Sequence, residues 1–160
     1  MLILGTLLAF GALWIAVQTR ISAGVRAGMV PDSVAGFALS QQTGGEAALN
    51  EIKQMHLGDF NVQEASIASY GENNVTLWVA GAGSEDEAAA LIQQMTTAID
   101  AGNTPFTPGS VYTFNERKVY SLSDAQQLHF YFQSGRLVVW IAADDVVAET
   151  ALKDAMQYYP

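Results

Sequence analysis

Cysteine is absent from the 160 residues, which excludes lipoprotein attachment, disulfides and thiolate catalysis. A cysteine-free domain is equally at home in reducing and oxidising compartments. Histidine is scarce too, with His56 and His129 alone, whereas a zinc site wants three or four ligands. His56 with Asp59 falls short of that number, so no metal is expected. His56 sits instead where a helix should end, and a cationic imidazole there suits the C-terminal dipole.

Basic residues are few, seven Lys and Arg against 16 Asp and Glu. Their placement is uneven: Arg20 and Arg26 precede the first acidic residue, Asp32, and the rest of the chain carries a net −11. Such a domain repels phosphate backbones and anionic headgroups, so nucleic acid is not an expected partner and any hold on a membrane must come from apolar contact. Charged residues make up only 14% of the chain and apolar ones 50%, which excludes disorder. No nucleophile elbow, His-Glu zinc helix, redox pair or haem attachment site is present. The Gly-rich "GAGSED" at 81–86 lacks the lysine of a P-loop, and its three acids would repel a phosphate. No cofactor is implied by these residues, and any small-molecule ligand is left unidentified.

What the chain does have begins with "LILGTLLAFGALWIAV" at 2–17, an uncharged run. A helix of 16–20 residues spans roughly 24–30 Å, the short end of what a bilayer core needs. There is no basic start of the kind a signal peptide has. Residues 1–24 are therefore expected to form a transmembrane anchor. Leu2, Leu7 and Phe10 belong to that anchor, with Trp14 and Arg20 at the interface. Gly5, Ala9, Gly11 and Ala12 would permit close helix packing. Residues 25–34 come next as a juxtamembrane linker, and 35–160 as an acidic α+β domain. Orientation signals conflict. Arg20 and Arg26 favour a cytoplasmic domain by charge, while an uncleaved N-terminal anchor commonly exports the domain behind it; the extracytoplasmic side is taken here.

Within the domain, a strand is expected at 35–39 and a helix in "GGEAALNEIKQMH", with Ala48, Ile52 and Met55 on one side. Two stretches then resemble each other: "SYGENNVTLWVAGAGSEDEAAALIQQM" at 69–95 and "YFQSGRLVVWIAADDVVAETALKDAM" at 131–156. Each has four turn-type residues, a six-residue strand with Trp in fourth place and Ala in sixth, and an acidic helix start, so Trp78 matches Trp140 and Ala80 matches Ala142. Two ββα repeats are the expectation. Ser84 with Glu87 forms a capping box, Gly102 stands past the helix end, and Asp144 and Asp145 would cap the second copy. Between the copies lie "GNTPFTPGS" and a hairpin turning at "NERK", expected as a solvated tip. Neighbouring strands joined this way are antiparallel, and the helices are expected on one face.

Pairing about a turn at 133–136 puts His129, Tyr131, Val138 and Trp140 on one side, and Phe130, Phe132, Val139 and Ile141 on the core side. His129 corresponds to Ile67 across the repeat, which marks it as a packing position rather than a catalytic one. Trp78, Trp140, Tyr131, His129, Phe106, Tyr158 and Tyr159 supply amphipathic aromatic area of the kind interfaces use. The expected role is a non-catalytic, single-pass accessory subunit, its partners membrane protein subunits and the lipid bilayer. A membrane-tethered ligand-binding or sensing domain is the alternative.

Overall fold

The computed structural model describes residues 29–55, 61–102 and 104–160. The anchor positions Leu2, Leu7, Phe10, Trp14 and Arg20 lie outside them, as do His56 and Asp59. Among the described residues no helix is long and apolar enough to cross a membrane.

The described chain is α+β. Eight strands run in the order β1 (Ser33–Val34), β2 (Phe37–Gly44), β3 (Val62–Tyr70), β4 (Val75–Ala82), β5 (Thr107–Phe114), β6 (Arg117–Ser123), β7 (Leu128–Ser134) and β8 (Leu137–Ala143). Three helices join them: α1 (Gly45–Met55), α2 (Glu85–Asp100) and α3 (Ala148–Tyr158). All strands form one antiparallel sheet in the order β1-β2-β3-β4-β8-β7-β6-β5. Two four-strand meanders thus meet at a central seam, β4 against β8, where Trp78 pairs with Trp140.

The two hairpin-helix units are present as β3-β4-α2 and β7-β8-α3, but their turns differ. The first hairpin closes with Tyr70 opposite Val75 across four residues. Gly71 and Asn73 take positive φ in that turn. In the second, Ser134 faces Leu137, so the turn is Gly135-Arg136 alone, with Gly135 at φ 52°. A two-residue turn matches strand twist and needs positive φ, which glycine supplies without strain. The expected faces hold, since parity is unchanged, while the pairing moves along the strand: Tyr131, not His129, stands opposite Trp140. Ile67 pairs with Trp78, so its counterpart by position is Tyr131, and the match of His129 to Ile67 does not survive.

The helices do not share one face, a correction to the one-sided arrangement expected from the sequence. Buried residues of α1 and α2 pack with Ala65, Tyr131 and Val138, whereas Ala151, Leu152 and Met156 of α3 pack with Phe130, Phe132, Val139 and Ile141. The cause is readable in the strands. Both sides of β7 and β8 are apolar, as a sheet covered on two sides requires, and not only the alternate residues.

Local signals account for the helix ends unevenly. Ser84 caps α2 by accepting from the Glu87 amide at 3.2 Å, and Glu87 reaches back to the Gly83 amide at 2.8 Å. Gly102 stands just past the helix at φ 73°. Ahead of α3, however, the cap position is Val147, with no side-chain hydrogen bond. Asp144 instead accepts from Asn74 Nδ2 at 3.0 Å and Gln127 Nε2 at 3.1 Å, bracing three loops. The "NERK" stretch also differs from a solvated tip. Asn115 and Glu116 make the turn with positive φ, and Arg117 belongs to β6. Its guanidinium donates to the Tyr159 carbonyl and, at 2.7 Å, to the Met156 carbonyl, satisfying the C-terminal end of α3 while lying over the Phe132 ring.

Residues 29–34, assigned by sequence to the linker, pack into the core through Val30 and Val34. Three hydroxyls hold them: Tyr159 donates to the Met29 carbonyl at 2.6 Å, Tyr158 to Val30 at 3.2 Å and Tyr70 to Pro31 at 2.9 Å.

Candidate functional site

The seam between the meanders gathers most of the aromatic residues singled out in the sequence. On the face covered by α1 and α2, Tyr120, Tyr131 and Trp140 occupy neighbouring positions of β6, β7 and β8, and Trp78 of β4 continues the row. Tyr120 stacks on Tyr131 at 4.6 Å and 7°, and Tyr131 on Trp140 at 5.2 Å and 10°. Flat cross-strand stacks of this kind stiffen the sheet. Thr96 of α2 donates to the Ile92 carbonyl, so its oxygen accepts from the Tyr131 hydroxyl at 2.8 Å and ties helix to sheet.

His129 is buried beside that row. Trp140 Nε1 donates to His129 Nδ1 at 3.1 Å, and His129 Nε2 meets Asp124 Oδ2 at 3.0 Å. An indole nitrogen only donates, so Nδ1 is unprotonated and the proton sits on Nε2, donated to Asp124. Burial lowers the imidazole pKa, and the Asp124 carboxylate only partly opposes this. Asp124 is held below the ordinary carboxylate range by the backbone amides of Gln126 and Gln127 first, and by His129 after them. The dyad resembles an acid-base pair, yet both ring nitrogens are already engaged. Neither is free to take a proton from a bound molecule.

Phe106 completes an aromatic corner, 4.9 Å from His129 and 5.2 Å from Trp140. In front of it opens a cavity of about 360 Å³ lined by Trp78, Phe106, His129 and Trp140 together with Leu91 and Met95 of α2 and Ile52 and Met55 of α1. This volume lies at the low end for small-molecule sites, and the lining is almost wholly apolar. Met55 is 53% exposed at its end of α1, not packed into the core beside Ala48 and Ile52 as the periodicity implies. No protein-family model, curated protein or solved structure matches the chain.

Four of the seven residues singled out therefore converge on one cavity, and Tyr131 supports it from beneath Trp140. Tyr158 and Tyr159 lie elsewhere, on the α3 side. Tyr159 is buried, and burial, reinforced by Tyr70 and Tyr158, drives its pKa far upward. Sequence reasoning did not find Asp124, Met95 or Leu91 as parts of the site. The pairing of Trp78 with Trp140 had a signal, the same fourth place in two matching strands, but no sign of which strands are neighbours.

Proposed function

We propose that the chain is a non-catalytic, single-pass membrane-anchored accessory subunit, whose α+β domain docks on a larger membrane protein complex of the photosynthetic or respiratory kind. The N-terminal apolar run supplies the transmembrane anchor, and the domain lies on the extracytoplasmic side. The observation that carries the reading is the asymmetry of the sheet edges. One edge is blunted to the two residues of β1. The other is β5, eight residues long and exposed almost throughout, with Val111 at 57% and Tyr112 at 37% exposure. Pro108 and the bulge between Pro108 and Val111 guard the start of β5, but the regular stretch from Val111 to Phe114 is an open edge with large apolar side chains, a template for strand addition by a partner subunit. The engagement of both His129 nitrogens supports a role without proton transfer.

Purification in mild detergent, with identification of whatever copurifies, tests the proposal. The wild type should bring down membrane protein subunits, and Val111→Lys should lose them while keeping its melting temperature. A lone monomer from the wild type overturns it. Protease protection in sealed membranes checks the orientation. A second reading, a membrane-tethered ligand-binding domain, is favoured by the apolar cavity under α1 and α2.

A further inference from the structure

Beside the central seam lies an apolar pocket of about 360 Å³, open at the end where Met55 stands exposed, which is room enough for a small-molecule occupant. Water is a poor one, because the walls offer it few partners. An unmet polar group points to the same place. Among the described residues, two buried side-chain atoms have no hydrogen-bond partner, Trp78 Nε1 and Thr104 Oγ1. Trp78 is a wall of this cavity. Buried polar groups are almost always satisfied, so the exception on a residue that lines the cavity, Trp78 Nε1, marks what a ligand would complete.

We infer that the cavity binds an uncharged, planar, largely apolar small molecule, the size of a substituted bicyclic ring, that presents a carbonyl-type acceptor to the Trp78 indole N–H. Each part of that description has its source in the walls. Trp78, Trp140 and Phe106 offer faces and edges to a flat ring. No Lys or Arg lines the cavity and its one histidine has both nitrogens engaged, so a charge would go uncompensated. The indole nitrogen can only donate, which sets the ligand's polar atom as an acceptor. The nitrogen is shielded from water, and the adaptable thioether of Met55 stands exposed among the residues that line the cavity. This inference deepens the ligand-binding reading and is independent of docking through β5.

The test uses the full chain in lipid nanodiscs, with empty nanodiscs as the blank, and the neutral fluorescent ketone 6-propionyl-2-(dimethylamino)naphthalene as probe. The wild type should show saturable, one-to-one binding above the blank. Ala80→Phe, which fills the cavity from β4, should weaken it by about tenfold or more, and Val138→Phe serves the same end if Ala80→Phe melts early. Trp78→Phe should weaken the ketone by roughly 2–10-fold, the worth of one hydrogen bond. The same variant should leave 2-(dimethylamino)naphthalene, which lacks the carbonyl, bound as before. Equal signals from wild type and a folded, cavity-filled variant overturn the site. Equal response of the two probes to Trp78→Phe overturns the acceptor. Partner copurification is a separate readout, so loss of probe binding with partners retained sinks this inference and leaves the subunit reading standing.

Discussion

The two faces of the sheet are built from strands of the same apolar character and end differently. Beneath α3 the central residues Phe132, Val139 and Ile141 are wholly buried, an open groove lies only at the margin between α3 and β5, and the polar groups at the chain's two ends are matched. Three tyrosine hydroxyls meet three successive carbonyls, Arg117 takes the last carbonyls of α3, and Ser134 donates to Pro160 at 2.7 Å. Beneath α1 and α2 the helices leave a cavity, and Trp78 Nε1 has no acceptor. One face holds the molecule together and fixes its N-terminal entry to its C-terminal end. The other keeps unfilled capacity, which is where binding has room to act.

That contrast breaks first under truncation of the closed face. Phe132 is wholly buried against Val139 of β8 and under Arg117. Phe132→Ala should cost about 3–5 kcal/mol in urea unfolding. Met95→Ala, which borders space already open, should fall near the low end, about 2 kcal/mol, since little new cavity is created. Equal costs would erase the distinction between the faces. Next in size is Tyr159→Phe, which removes a buried donor from the Met29 carbonyl and should cost about 1–3 kcal/mol. The same change should raise proteolytic susceptibility at residues 29–31.

The closed face was the more legible of the two. Alternation in "FYF" and "LVVWIA" assigns the inward side correctly even though the hairpin register is displaced, because parity survives a two-residue change in turn length. The capping box of α2 and the Trp78–Trp140 match were also readable. Three things were not, each for a physical reason. Helix sidedness depends on the crossing of β8 beside β4, a long-range pairing that no local period encodes. The role of Asp144 went to Asn74 and Gln127 rather than to its own helix, because tertiary partners compete with local capping. The cavity is a gap, set by where α1 and α2 come to rest, and apolar residues around a gap carry the same periodicity as residues around a filled core.

A smaller effect separates the faces by pH. Burial holds His129 below the ordinary imidazole value of 6.5, so the unfolded chain binds the proton more readily than the fold does. The stability this residue contributes is full above about pH 6.5 and declines as pH falls from there toward the folded value. Protonating Nδ1 would also set two donors against each other at Trp140. Asp124 works in a lower window: its depressed pKa contributes above about pH 3.9 and is lost as pH falls through the folded value. Urea midpoints at pH 7.5 and 5.5 should therefore drop in the wild type by more than in His129→Gln, whose amide can bridge Trp140 and Asp124 without titrating. Identical drops would mean that the dyad does not couple to folding.

The smallest effect is the sharpest test of what the open face is for. Trp78→Phe trades two opposing terms. It removes ring atoms that line the cavity, a loss of about 1 kcal/mol or more where packing is complete, and it removes a buried indole N–H that lacks an acceptor, a gain of about 1–3 kcal/mol. The net change in the unliganded protein should lie within about 1 kcal/mol of wild type, and its sign should favour the variant. At a position in the same wall whose nitrogen is satisfied, the same substitution has only the loss. Trp140 is that control, its Nε1 bonded to His129, and Trp140→Phe should destabilise by roughly 1–3 kcal/mol. If the two tryptophans, paired across the seam, respond alike, then the unmet donor is no feature of the folded state in solution. If they diverge as expected, stability has been given up at Trp78, and the hydrogen bond missing there is held for something other than folding.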